Sequence, residues 1–148
     1  MLFRSPIAGE FTDKDVLLVD DSIVRGNTSR AIIDMARECG ARHVYFAAYS
    51  PPLRYPCVDG IDMQTRTEFV ASHSDVEQIA RKIGADKVIY QTLDNLKKAV
   101  RMENKKLKQF CAACFDGCYV TGDVTPEMLK TIEKERKAIQ EGQLELNI

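Results

Sequence analysis

The sequence lacks a long apolar run, a charge excess of either sign and an apolar segment near its start. No stretch approaches the roughly 18 apolar residues of a membrane-spanning helix. Its 21 basic residues are balanced by 22 acidic ones, and this net charge of -1 favours neither nucleic acid nor an anionic membrane. The opening residues MLFRSP lack the apolar core of a signal peptide. We therefore expect no membrane partner and no nucleic-acid partner.

Histidine is also scarce, whereas cysteine is not. His43 and His73 have no partners at metal-ligand or catalytic spacing, so we expect both to be structural or exposed. Because no export signal precedes them, the 5 cysteines argue against a disulfide framework and predict a reducing, cytoplasmic setting. A chain of 148 residues, 45% of them hydrophobic, is long enough for one globular domain.

The most informative stretch is residues 16–29, VLLVDDSIVRGNTS. Its four leading apolar residues predict a short buried strand, and Asp20 and Asp21 stand where that strand ends. A small polar loop follows, and Gly40 stands where a subsequent helix should end. That helix is predicted from apolar residues at helical spacing, namely Ile32, Met35, Ala36 and Cys39.

The remaining elements predict an α/β protein with a helical C-terminal segment. HVYFAA at 43–48 is typical of a second buried strand, and KVIY at 87–90 of a third short strand. The strand at 16–19, the helix after it and the strand at 43–48 are joined by short links, which predicts a βαβ unit whose two strands are parallel. SDVE at 74–77 has the spacing of a capping box that begins a helix, which Gly84 ends. Thr125 and Pro126 have the order of an N-cap and a first helical residue.

The strand, loop and helix of residues 16–29 suit a sugar phosphate. Loop amides, hydroxyls and the start of the helix favour a phosphate group. Two carboxylates would repel that phosphate but suit sugar hydroxyls or a hard cation such as Mg²⁺. Because ligands of open α/β sheets bind at the carboxyl ends of strands, we expect a ribose 5-phosphate there.

A strand that ends in two aspartates also begins response-regulator receiver domains, which are the main alternative. A receiver domain needs another acidic residue at the tip of a later strand. The next strong strand, at 43–48, continues into Tyr49 and Ser50 without an aspartate. A receiver domain also has no need for the Gly-x-Thr that follows the acidic pair. The sequence therefore favours the phosphoribosyl interpretation.

The residues VDDSIVRGNTS closely resemble the phosphoribosyl-pyrophosphate (PRPP) binding motif of type I phosphoribosyltransferases. Together with GIDM at 60–63 and FCAACFDGCYV at 110–120, the chain from about Phe11 onward resembles the glutamine PRPP amidotransferase family. This resemblance implies a partial type I phosphoribosyltransferase fold, a parallel sheet with flanking helices. Residues 1–100 would be the C-terminal part of that core, and 101–148 a C-terminal extension.

The family's chains are roughly three times as long, in keeping with two domains. They begin with a glutaminase domain whose nucleophile is an N-terminal cysteine. Here residue 1 is Met and the first cysteine is Cys39, so we expect a fragment without the glutaminase domain and without the early strands of the transferase core. We expect such a fragment to be inactive alone. The intact protein would be a homo-oligomer.

The resemblance also implies the roles of individual residues. Asp20 and Asp21 would hold the ribose hydroxyls together with Mg²⁺, and the following backbone with Thr28 and Ser29 would hold the 5-phosphate. Arg25 would either stabilise the loop or act as an electrostatic partner. The complete PRPP-binding set would be Asp20, Asp21, Ser22, Ile23, Val24, Arg25, Gly26, Asn27, Thr28 and Ser29.

The proline-rich stretch YSPPLRYPC at 49–57 leaves the second strand at the same sheet edge as the two aspartates. Arg54 in this loop could contact a phosphate, but an ordinary exposed charge is an equally good interpretation. Near the C-terminus, Cys111 and Cys114 form a C-x-x-C motif, which serves zinc, iron–sulfur clusters and redox pairs alike.

In one branch of the resembled family, cysteines at the positions of Cys57, Cys111 and Cys114 hold a [4Fe-4S] cluster with a fourth ligand upstream. That ligand would lie outside this chain; Cys118 is an alternative fourth ligand, although the family gives no support for it. The alternative is that these are buried apolar cysteines, which are common. A cluster here would be structural, and this fragment alone should bind it poorly because four thiolates are normally needed.

The resemblance implies an amidophosphoribosyltransferase. Glutamine-derived ammonia would replace pyrophosphate at C1 of PRPP and give 5-phosphoribosylamine, the first committed step of purine synthesis, with purine nucleotides as inhibitors. The alternative is a non-catalytic module of the same fold that senses PRPP or a purine nucleotide. The segments GIDM and CAACFDGCY favour the enzyme, because they belong to the amidotransferase.

Overall fold

Three parallel strands form the centre of the fold. The structure is a computed structural model that describes residues 8–58, 66–140 and 142. The strands are β1 (Asp15–Asp20), β2 (His43–Ala48) and β3 (Lys87–Tyr90), in the spatial order β1-β2-β3. Asp15 pairs with His43 at one end of the first pair, and Asp20 pairs with Ala48 at the other. The predicted βαβ unit and the α/β class are therefore confirmed.

Helices fill the connections and continue the chain after the sheet. In chain order they are α1 (Ala8–Phe11), α2 (Asn27–Glu38), α3 (Val70–His73), α4 (Val76–Ile83), α5 (Leu93–Glu103), α6 (Ala113–Asp116) and α7 (Pro126–Gln140). A 3₁₀ turn (Arg66–Glu68) precedes α3. Within the described ranges, no helix is long and apolar enough to cross a membrane. The GIDM segment lies outside the described residues, and the division of the chain at residue 100 stays a prediction.

The hydrophobic core lies between one face of the sheet and helices α2 and α4. Phe46 and Val44 of β2 are fully buried there, as are Ile33 of α2 and Ile83 of α4. The opposite face is open in the described part of the chain, where Leu17 is 56% exposed. Parallel sheets are normally covered on both faces, so this one-sided sheet has the form of a partial α/β core.

The structure corrects two details of the predicted helices. The buried stripe of α2 is Ser29, Ile33 and Ala36, whereas Met35 is 37% exposed. Ala36 was therefore predicted correctly and Met35 wrongly, because apolar spacing alone does not choose between neighbouring stripes. The capping box of α4 also begins one residue later than predicted, with Asp75 as the N-cap and Gln78 as its partner.

Several helix ends are as predicted. Gly84 ends α4 in the left-handed conformation, with φ of 81°. Thr125 accepts a hydrogen bond from the backbone N–H of Met128 through Oγ1 at 3.2 Å, and Pro126 is the first residue of α7. These local signals were readable because each depends on residues within one turn of the helix end.

Candidate functional site

Two adjacent carboxylates mark the carboxyl end of the sheet. Asp20 is the last residue of β1, and the backbone N–H of Tyr49 donates to its carbonyl oxygen at 2.9 Å. The N–H of Ser50 donates to the carbonyl oxygen of Asp21, also at 2.9 Å. Strand pairing thus continues past the formal strand ends and places both aspartates at the edge where α/β proteins bind ligands.

Short-range hydrogen bonds orient the two acidic side chains. Asp20 Oδ1 accepts from the backbone N–H of Asp21 at 2.9 Å, and Asp21 Oδ1 accepts from the hydroxyl of Ser22 at 2.8 Å. Carboxylate oxygens accept more than one hydrogen bond, so both groups keep acceptor capacity for a ligand hydroxyl or a cation.

The loop that follows the two aspartates packs against the hydrophobic core. Ile23 is 1% exposed and belongs to the core cluster. The N–H of Val70 donates to the carbonyl oxygen of Val24 at 2.8 Å. Gly26 then turns the chain into α2 with φ of 84°, a left-handed conformation that side chains disfavour.

The N-terminus of α2 offers backbone donors to an anion. Gly26 is the N-cap, and because it has no side chain it makes no side-chain capping hydrogen bond. The first turn of the helix holds no acidic residue. The N–H groups at the start of a helix have no partner within it and carry the positive end of the helix dipole. They are therefore suited to a phosphate group.

These features line an open cavity of about 500 Å³, which we call the loop cavity. Its volume falls in the range of small-molecule sites. Ile23 is the one member of the predicted PRPP-binding set that does not line it, because that side chain points into the core. The lining residues are Asp20, Asp21, Ser22, Val24, Arg25, Gly26, Asn27, Thr28 and Ser29. The structure thus brings the acidic pair and the polar loop together around one space.

Arg25 forms an ion pair that the sequence did not indicate. Its guanidinium contacts the carboxylate of Glu68 in the 3₁₀ turn before α3. The Glu68 side chain is 22% exposed and that of Arg25 is 42% exposed. The two residues are 43 positions apart, so no local pattern could have identified Glu68.

The other singled-out charged residues lie away from the loop cavity. Arg54 does not line the cavity. Burial raises the pKa of the Tyr90 hydroxyl to about 12, and the positive charge of Arg54 opposes part of that rise. His43 Nδ1 lies 2.9 Å from Asp15 Oδ1 at the opposite end of β1, and His73 is exposed at the end of α3. A hydrogen bond from Arg42, and to a smaller extent one from His43, lowers the pKa of Asp15 to about 2.

The cysteine-rich segment packs against the proline-rich loop. The backbone N–H groups of Arg54 and Tyr55 both donate to the carbonyl oxygen of Cys114, at 2.9 and 3.1 Å. Burial raises the pKa of the Cys114 thiol, and the charges of Cys111 and Cys57 raise it further. The hydrogen bonds to Cys114 thus join the proline-rich loop to the cysteine-rich segment. Even so, the described residues contain no group of three or more His, Cys, Asp or Glu placed to hold a metal ion.

Comparison with known proteins identifies the relatives of this chain. It is 53% identical over 133 residues to the amidophosphoribosyltransferase of Pasteurella multocida, a match that covers 90% of this chain and 26% of the relative. The Escherichia coli K12 amidophosphoribosyltransferase is 50% identical over 135 residues, covering 88% of this chain and 27% of the relative. No family model matches the chain.

Solved structures agree with these relatives. A Bacillus subtilis glutamine PRPP amidotransferase, in complex with ADP and GMP, matches 78% of this chain and 26% of its own with a TM-score of 0.70 and 42% identity. A structure described as the allosteric regulatory enzyme of purine biosynthesis matches 86% of this chain and 28% of its own, with a TM-score of 0.72 and 38% identity. The family resemblance and the partial fold inferred from the sequence are therefore confirmed. The chain spans about a quarter of the length of these relatives.

Proposed function

We propose that this chain, which corresponds to about one quarter of the length of an amidophosphoribosyltransferase, carries the PRPP-binding site of such an enzyme. In the whole protein, ammonia released from glutamine attacks C1 of PRPP. The bond between C1 and the pyrophosphate oxygen breaks, a C1–N bond forms, and the nitrogen releases a proton to give 5-phosphoribosylamine. The loop cavity, lined by both aspartates and by the start of α2, is the observation that carries this proposal.

The two ends of the cavity have separate tasks in this proposal. Asp20 and Asp21 accept hydrogen bonds from the 2- and 3-hydroxyls of the ribose, and the loop amides with Thr28 and Ser29 hold the 5-phosphate. Because pyrophosphate departs with its electron pair, positive charge develops on the ribose ring in the transition state. Carboxylates that hold the ribose hydroxyls are close to the ring, so in this proposal they stabilise that charge as well as orienting the sugar.

A magnesium ion fits this donor set. Mg²⁺ is commonly bound through one or two protein carboxylates together with substrate phosphates, and the two aspartates supply such a pair. When bound it would neutralise charge on the departing pyrophosphate. A general base is not required of this chain, because ammonia is already nucleophilic and pyrophosphate is a good leaving group.

We also propose that Cys57, Cys111 and Cys114 contribute to a structural [4Fe-4S] cluster in the longer protein. The hydrogen bonds that join the proline-rich loop, which contains Cys57, to Cys114 support this assignment. Three thiolates are one fewer than such a cluster normally takes, and in this proposal a residue outside this chain supplies the fourth ligand. No step of the reaction involves the cluster.

The test of the PRPP site separates the two ends of the cavity. Asp20→Asn and Asp21→Asn should each weaken binding of ribose 5-phosphate to this chain about ten- to hundredfold, because each removes a charged hydrogen-bond acceptor. Neither change should weaken binding of inorganic phosphate, which contacts the amide end alone. Asp34→Asn is the matched control, since Asp34 lies on α2 and pairs with Arg30 outside the cavity.

Isothermal titration with ribose 5-phosphate, 2-deoxyribose 5-phosphate and inorganic phosphate provides the measurement. The penalty of at least one substitution should shrink for the 2-deoxy sugar, which lacks one hydroxyl. In the longer protein, the same substitutions should lower turnover strongly while circular dichroism shows an intact fold. Unchanged affinity for ribose 5-phosphate in both variants would contradict the assignment of the acidic pair.

A further inference from the structure

The Arg25–Glu68 ion pair joins the proposed phosphate loop to a segment that contributes nothing to the loop cavity. Arg25 lines the cavity, but Glu68 does not. Glu68 belongs to the 3₁₀ turn Arg66–Glu68, immediately before the fully buried Phe69. The cation of the loop is therefore paired with a turn that leads directly into the core.

A backbone contact reinforces the same junction. The N–H of Val70 donates to the carbonyl oxygen of Val24 at 2.8 Å, one residue before Arg25. Val70 is 4% exposed, so this hydrogen bond is sheltered from water. Two consecutive loop residues are thus held by two residues of one core-anchored segment, Glu68 and Val70.

We propose that Glu68 is a positioning residue, which sets the loop for the 5-phosphate by holding the side chain of Arg25. This inference rests on the proposed function. A charge-assisted hydrogen bond between partly shielded groups restrains the loop while neutralising the charge of Arg25. Arg25 then acts by supporting the loop, and the phosphate is bound by amides and hydroxyls whose positions depend on that support.

The opposite role for Arg25, that of a direct phosphate ligand, makes a prediction of opposite sign. If Glu68 only competed with the phosphate for Arg25, Glu68→Gln would free the guanidinium and tighten phosphate binding. If Glu68 positions the loop, Glu68→Gln should weaken the binding of PRPP and of ribose 5-phosphate about tenfold. In the double variant with Arg25→Gln, the loss should be no larger than in the single variants, because both changes break one interaction.

The experiment combines titration with amide hydrogen exchange on the 148-residue chain. In the ligand-free Glu68→Gln variant, amides of residues 22–29 should exchange faster, while those of β2 and the midpoint of urea unfolding stay at their wild-type values. Asp34→Asn is again the control, because it removes an equal charge from an exposed ion pair with Arg30. This control should change neither loop exchange nor affinity.

Two results would overturn the positioning role. The first is tighter binding of PRPP by Glu68→Gln, and the second is unchanged exchange of the loop amides. If the wild-type chain does not bind PRPP at all, the proposed function fails instead. The exchange measurement needs no ligand, so it still decides whether Glu68 holds the loop.

Discussion

Replacing Gly26 by alanine tests the packing beneath the candidate phosphate loop. Gly26 has φ of 84°, and a Cβ added there would lie 2.9 Å from Cγ2 of Ile83. Ile83 is fully buried at the end of α4, so its side chain cannot swing away. The substitution therefore combines two costs, backbone strain and steric overlap in the core.

The two costs can be estimated separately. A left-handed backbone at a residue with a side chain costs about 1–2 kcal/mol. Overpacking a well-filled core typically costs about 1–3 kcal/mol more. Gly84→Ala is the matched control, because Gly84 has φ of 81° but its nearest neighbour, Ile33 Cγ2, lies 3.8 Å from the added Cβ. Gly84→Ala should carry the strain without the overlap.

Urea unfolding of the chain, followed by circular dichroism, measures the difference. Gly26→Ala should lower the free energy of unfolding by about 1–3 kcal/mol more than Gly84→Ala does. With a urea dependence of about 1–3 kcal/mol per molar, this corresponds to a shift of the midpoint by about 1 M.

A second variant isolates the clash. Ile83→Leu moves the branch point of the side chain and removes Cγ2 at a cost below about 1.5 kcal/mol. Gly26→Ala should therefore be less harmful in the Ile83→Leu background, with a coupling of about 1 kcal/mol. Equal losses for Gly26→Ala and Gly84→Ala, without coupling to Ile83, would refute the close approach of loop and helix.

Two further predictions concern acid stability and the cysteines. Because the folded pKa of Asp15 is lowered from 3.8 to about 2 by Arg42 and His43, its stabilising contribution is complete above about pH 4 and is lost as the pH falls towards 2. Urea midpoints measured between pH 6 and 2 should therefore fall less steeply for Asp15→Asn than for wild type, and parallel curves would contradict this. Anaerobically purified longer protein should contain about four iron and four sulfide per chain, and Cys111→Ser should abolish both. Absence of iron and sulfide in the unsubstituted protein would remove the cluster from the proposal.

Much of the fold could be predicted because its signals are local. Residues 87–90 were predicted as a strand and form β3 with those bounds, since a short apolar run between turn signals is typical of a strand. The buried stripe of α2 was predicted only in part: Ala36 is buried, but only packing against β2 and α4 selects Ile33 over Met35. Local spacing identifies a helix, but its neighbours choose which side is buried.

In the candidate site, too, the residues that lie close together in sequence could be predicted and the distant one could not. The run of residues 20–29 could be recognised because one strand end, one loop and one helix start lie together in sequence and therefore in space. Glu68 could not be found, because its contact with Arg25 joins positions 43 residues apart and depends on how the 3₁₀ turn and α3 pack against α4. The sequence alone thus specifies the chemical groups that meet a sugar phosphate. Only the folded chain shows what holds them in place, because such contacts arise between segments that packing, not sequence proximity, brings together.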